Sequence, residues 1–307
     1  MAWQFEGAAF LRHLGSAVWT VYQLARYRPR TIILQHSFLL ALLVAWYSMA
    51  APWRVTVVDD IHTKAMRRRV SGGVGVLFER LRTWSVGSFD FIVVANPDLR
   101  AEAADLGPPV IVIPDPIPSI CSLDEGDECQ GVVAVCSFAS DEPVEPLLDA
   151  MALLPDVGFA ITGRPPSNLA RFMTARNVVF TGFLPRDAYE LLLSEAAAVV
   201  ALTRDEGCLL SGGVEALGAG KPLLTSDTET LRAYFGDAAR YTSPEARSIA
   251  RGIRCVLSER ERLRAASREL RRQRCVEHEE RIRRLRVVIR DSRGDGANDD
   301  GRSTRYP

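Results

Sequence analysis

Glu206, Gly207, Ser211, Gly212, Gly213 and Glu215 crowd into one stretch, EGCLLSGGVEALGAGKP over residues 206–222, and their types suit a phosphorylated diol. The glycine- and serine-rich loop runs into a helix expected to start near Val214, with Glu215 in its first turn. Free N–H groups and the positive end of the dipole make such a helix start an anion site. A carboxylate one turn in repels phosphate, but it can accept two hydrogen bonds from a ribose diol. Together these describe a nucleotide diphosphate. The same residues also suit a capped helix behind a surface loop, with Glu215 merely answering the dipole.

Motif order adds to this reading. Glu215-Ala-Leu-Gly-Ala-Gly-Lys-Pro222 resembles the donor-binding signature of GT-B glycosyltransferases of the family 4 type. Eight residues separate Glu206 from Glu215, one more than the family's usual spacing, so either the loop is longer or Gly207 takes the place of the first acid. Ser137-Phe-Ala-Ser-Asp-Glu-Pro143, Leu147-Leu-Asp-Ala150, Ile161-Thr-Gly-Arg164 and Val179-Phe-Thr-Gly-Phe183 follow in the family's order. The Asp-Glu pair and the Thr-Gly-Arg are most similar to the branch containing the dolichol-linked β-mannosyltransferase. Ile33-Leu-Gln35, Val58-Asp-Asp-Ile-His62 and Phe89-Asp-Phe-Ile-Val-Val-Ala-Asn96 resemble that branch's first domain.

The resemblance implies an α/β protein of GT-B architecture, two Rossmann-like doubly wound domains facing a cleft. It implies Ser137, Arg164, Glu206, Gly207, Ser211, Gly212, Gly213 and Glu215 on the donor side, with Asp60 and His62 orienting or deprotonating the acceptor. Enzymes of this type stabilise the departing diphosphate with helix amides and a cation, a form of electrostatic preorganisation, so neither metal nor other cofactor is expected. Ser137-Phe-Ala-Ser-Asp-Glu142 replaces the family's basic pair, which leaves Arg164 as the cation. A packed loop histidine at 62 and a surface ion pair at Arg164 are the plainer alternatives.

The elements that must position these residues follow from periodicity. Short β-branched runs at 31–34, 55–58, 91–94 and 110–113 alternate with helical stretches, as in a parallel sheet. Runs at 132–136, 157–162, 178–181, 198–202 and 222–225 repeat the pattern. Ligands of such sheets bind at the carboxyl ends of the strands, and His62, Ser137, Arg164 and Glu206 each follow a strand. The expected organisation is a first domain over 1–117, a proline-rich and acidic linker over 118–130, and a donor domain over 131–245. Arginine-rich helices over 246–290 and a disordered polar tail over 291–307 complete it. The chain enters a helix where relatives begin with a strand and glycine-rich turn, so the first domain is expected to be shortened.

Composition narrows the class. The formal net charge is zero and 47% of residues are hydrophobic, which fits a globular chain and offers no global attraction to nucleic acid. Interspersed glutamates mark the arginine-rich stretch as a solvated helix face. The six cysteines show no metal-binding spacing, and reduced thiols of a cytoplasmic protein are expected. Residues 31–53 carry no formal charge, yet Gln35, His36 and Ser37 divide them into a strand and a helix rather than a membrane span. Peripheral contact with the inner face of the cell membrane remains compatible with such a helix beside arginines. The function expected is transfer of a sugar from a nucleotide-sugar donor to a lipid-linked or polysaccharide acceptor in cell-surface glycan synthesis. The alternatives are a catalytically weak relative acting as a nucleotide-sugar-binding or partner subunit, or a membrane-anchored assembly component.

Overall fold

Short, mostly apolar runs feeding helices build two parallel sheets. The computed structural model describes residues 9–61, 73–120, 131–167 and 176–292, without the side chains of 9–14, 73 and 74. The chain divides into two compact units, one drawn from Met1–Pro114 and Glu279–Pro307, the other from Asp115–His278.

In the first unit, α1 (Ala9–Tyr27), β1 (Thr31–Gln35), α2 (Phe38–Ala50), β2 (Thr56–Ile61), α3 (Gly73–Gly87), β3 (Phe91–Val94), α4 (Asp98–Ala104) and β4 (Val110–Val112) follow in order. The sheet runs β1-β2-β3-β4 with every pair parallel, and its register sets Leu34 against Asp59 and Val58 against Phe91. Ala41, Val44 and Ala45 of α2 pack with Leu34, Val57 and Ile61 on one sheet face. The stretch 31–53 is therefore a strand, a turn and a covering helix, and no described helix is long and apolar enough to cross a membrane.

The second unit contains β5 (Val132–Ala134), α5 (Val144–Ala152), β6 (Phe159–Thr162), β7 (Val178–Gly182), α6 (Arg186–Glu195), β8 (Ala198–Ala201), α7 (Ser211–Gly218), β9 (Leu223–Ser226), α8 (Glu229–Phe235), β10 (Ala239–Thr242), α9 (Ala246–Ser258) and most of α10 (Arg260–Ser292). Its six strands are parallel in the order β10-β9-β8-β5-β6-β7. Alternate residues feed two cores. Val132, Ala134, Phe159 and Ile161 meet α5 and α9 on one face, while Val133, Val199, Ala201 and Leu223 meet α6, α7 and α8 on the other. Strand β10 was not expected from the sequence. Its four residues, Ala-Arg-Tyr-Thr, carry a charge at the sheet edge, and Arg240 reaches Glu259.

The ends of the units differ from the expected boundaries. Ile117 and Ile120 pack beside Leu217, and a Cβ on Gly218 would fall 2.4 Å from the Pro118 carbonyl, so this glycine admits the segment against α7. The remainder of the expected linker, 121–130, lies outside the described residues, as does the tail from 293. Helix α10 continues into the first unit from Glu279, where Ile282, Leu285 and Ile289 pack on Val58, Val93 and Ile113. Its other side carries helical pairs such as Arg272–Glu269 and Arg284–Glu280, the solvated face expected of these arginines.

Candidate functional site

Strand β5 has β6 on one side and β8 on the other, and the chain winds away from it in both directions. The strand order thus reverses between β5 and β8, which makes the carboxyl ends of these two strands the ligand-binding edge of a doubly wound sheet. The loops leaving β5, β6 and β8 carry Ser137, Arg164 and Glu206.

After β5 the backbone turns through Phe138, a non-glycine residue with φ of 59°. Gly163 makes this possible from the next loop: its φ is 84°, and a Cβ there would lie 2.2 Å from the Cys136 carbonyl. Arg164 is therefore the residue after the one touching the turn. It is exposed and forms no ion pair among the described residues. The turn itself is an anion cradle, and Glu142 fills it. The amides of Ser137 and Phe138 donate to its carboxylate at 3.0 and 2.7 Å, the Ser137 hydroxyl at 2.7 Å and the Cys136 thiol at 2.9 Å. Burial and the Glu142 charge push the Cys136 thiol far up, which keeps it protonated as a donor. Asp141 ties this turn to the loop after β8, accepting from Thr203 Oγ1 at 3.0 Å and, through its carbonyl, from the Arg204 amide at 2.7 Å.

Helix α7 starts at Ser211, three residues before the expected position, so Glu215 stands in its second turn. Leu210 is the N-cap and makes no side-chain cap. The amides of Gly213 and Val214 donate to the Leu210 carbonyl at 3.0 and 3.1 Å. That leaves Ser211 and Gly212 as the amides without an acceptor in the helix. Packing explains the glycines. A Cβ on Gly212 would fall 2.8 Å from the Val135 Cβ, and one on Gly213 2.8 Å from the Phe235 ring. Gly207, buried, adopts the left-handed φ of 71° that the loop requires. Glu206 is exposed, and its carboxylate accepts from the Glu229 amide at 3.3 Å at the start of α8.

Glu215 is half-buried and accepts a hydrogen bond from the hydroxyl of Tyr189, on the first turn of α6. Burial raises the Glu215 carboxyl above the usual carboxylate range, Tyr189 pulls it back, and the neighbouring Glu190 charge pushes it up. Tyr189 is raised strongly by burial and by Glu215, and stays a donor.

In the first unit Asp60 is the penultimate residue of β2 and its carbonyl accepts from the His36 amide at 2.9 Å, while His62 lies outside the described residues. Sequence reasoning missed the neighbouring pair. His36 Nδ1 and Asp59 Oδ2 are 2.7 Å apart, with side chains 6% and 0% exposed, and Asp59 Oδ1 is buried without a partner among the described residues. Burial raises the Asp59 carboxyl. The signal was present in the strand alternation, which puts Asp59 on the same face as the core residues Val57 and Ile61. Tyr189 was missed because nothing local links it to a residue 26 positions on.

Residues 142–288, just under half of the chain, match the family described as Glycosyl transferase-like. No curated protein matches the chain. The fold superimposes on sucrose-phosphate synthase from Thermosynechococcus elongatus with a TM-score of 0.71 at 14% identity, covering 96% of this chain and 82% of that one. HepE from Anabaena, solved in complex with UDP, gives 0.69 at 15% identity over 89% of this chain and 82% of its own. A glycosyltransferase from Rickettsia africae gives 0.63 at 9% identity over 95% and 83%. The two parallel α/β units therefore constitute a GT-B fold.

Proposed function

We propose that this chain, a GT-B glycosyltransferase by its fold and by the family of residues 142–288, moves a hexosyl group from a nucleotide-sugar donor to a lipid-linked or polysaccharide acceptor. One observation carries the donor half: at the switch point, an uncapped glycine-lined helix start and the Glu215 carboxylate follow one another on α7. In this reading the diphosphate lies on the Ser211 and Gly212 amides, with Ser137 and Gly207 lining the loops beside it. Glu215 accepts from the ribose, and Glu206 supports the loop through the α8 start. Arg164 supplies the counter-charge as the bond between the anomeric carbon and the diphosphate oxygen breaks. The acceptor oxygen bonds to that carbon and gives up its proton, a step for which Asp60 and His62 are the proposed groups. Fixed amides and a cation need no reorganisation as the leaving group becomes more negative, and no metal is assigned to the reaction.

The motif order favours an acceptor like that of the dolichol-linked β-mannosyltransferase branch, hence a role in cell-surface glycan synthesis at the inner face of the membrane. Exposed Trp19 and Tyr22 of α1 and Trp46 of α2, in a unit that also exposes Arg26 and Arg28, support peripheral attachment there. The filled cradle at Ser137 and Phe138 favours a second reading, a relative that binds donor but turns it over weakly. Release of nucleoside diphosphate, measured over a panel of nucleotide sugars with a lipid-phosphate or oligosaccharide acceptor, separates the two. Release with one donor supports transfer; tight binding without release supports the second reading; neither binding nor release with any donor overturns both.

A further inference from the structure

Among the described residues, Glu215 is held by one side chain. Its Oε2 receives the Tyr189 hydroxyl, and its Oε1 has no hydrogen-bond partner among the described residues although the residue is half-buried. Tyr189 is itself fixed. It stands on the first turn of α6, a helix anchored by the fully buried Leu193, and its ring packs against the core that contains Val214 and Leu217 of α7. A tyrosine has two side-chain torsions, so a ring packed in this way delivers its hydroxyl with little freedom left to lose.

We infer that Tyr189 is a positioning residue for the donor, holding Oε2 of Glu215 so that Oε1 is the oxygen that accepts from the ribose. The inference rests on the proposed donor reading and extends it from the carboxylate to the group that orients it. The protonation state of Glu215 supports the same role. A carboxylate in this environment drifts toward its neutral form, because burial and the Glu190 charge both favour the proton. A protonated carboxyl keeps one good acceptor and gains a donor, which spoils the match to a diol. The titratable groups acting on Glu215 are Tyr189 and Glu190, both from α6, and they act in opposite directions. The hydroxyl favours the anion and the carboxylate disfavours it.

The test is calorimetric titration of the full-length protein with the nucleotide sugar found in the release assay, from about pH 5 to about pH 8.5. Tyr189→Phe keeps the ring and removes the hydroxyl. It should weaken donor binding about three- to tenfold at the alkaline end, the range of one ordinary hydrogen bond, because the accepting oxygen is no longer held in place. It should also move the acid-side loss of binding to higher pH, because the carboxyl then takes its proton earlier. Glu190→Gln should move that loss to lower pH, and it keeps the inference testable if Tyr189→Phe does not fold. A ring that served packing alone would leave the pH profile where it was. Wild-type affinity and an unshifted profile in folded Tyr189→Phe overturn the inference; so does an unshifted profile in Glu190→Gln. Glu215→Ala separates the two levels. If it too binds like wild type, the donor reading fails and this inference with it. If it binds weakly while Tyr189→Phe does not, only the role of Tyr189 falls.

Discussion

Two desolvated carboxylates, Asp59 on β2 and Glu215 on α7, share their chemistry and differ in their access to solvent. Each is held by one side chain, His36 or Tyr189, and burial raises each above the usual carboxylate range. Asp59 is sealed, with no exposed side-chain surface and one oxygen without a partner among the described residues. Glu215 is only half-buried, and its spare oxygen can be reached. A sealed carboxylate can only cost stability or offset that cost through its partner. One that is desolvated yet reachable can reserve its unmet hydrogen bond for a ligand. The comparison therefore fits Asp59 to the architecture of the first unit and supports the proposed place of Glu215 in the donor site.

The largest effect expected is on folding. His36→Ala strands the Asp59 charge in the core and should lower stability at neutral pH by about 3–5 kcal/mol, read by denaturant melts. The loss should shrink in acid, where Asp59 protonates. A variant as stable as wild type would mean that the pair is not what satisfies Asp59. Gly213→Ala comes next. Its Cβ would press on the Phe235 ring at 2.8 Å, and overpacking of this kind costs about 1–3 kcal/mol. It should disturb donor binding less than Gly212→Ala, because the Cβ clash of Gly212 with Val135 displaces a free amide, whereas the Gly213 amide already serves Leu210. Equal losses of affinity would show that the helix start, not its free amides, is what the ligand needs.

A smaller effect sharpens the account of Asp59. Its folded carboxyl is raised above the unfolded value, so the folded state binds more protons just above the ordinary carboxylate range. Stability then falls as pH rises through that window. Asp59→Asn lacks this titration, and its stability relative to wild type should grow from about pH 4 upward. A constant difference across pH would contradict the raised carboxyl. The smallest expected change is none at all: chelation with EDTA should leave nucleoside diphosphate release unaltered. Activity lost to EDTA and restored by manganese would place the leaving group on a metal rather than on amides and Arg164.

The strands of both sheets were legible because buried parallel strands are short β-branched runs between turns, and nine of those runs coincide with β1 to β9. The edge strand β10 escaped because Arg240 and Tyr241 interrupt the apolar signal. Helix α7 was placed too late because Ser-Gly-Gly reads as loop, whereas these glycines lie inside the helix for want of room at Val135 and Phe235. The loop residues of the proposed donor site were legible as types in order. Their partners were not. Glu142 folding back onto Ser137, and Tyr189 and His36 reaching carboxylates 26 and 23 residues away, arise from the packing of separate elements rather than from local sequence.

The central claim is that α7 binds a nucleotide-sugar donor through Glu215. Titration calorimetry of the donor against wild type and Glu215→Ala tests it most directly. A loss of about 1–3 kcal/mol in binding free energy, with folding intact, is the predicted result, since a charged acceptor of the ribose hydrogen bonds is removed. Wild-type affinity in a correctly folded Glu215→Ala protein would contradict it.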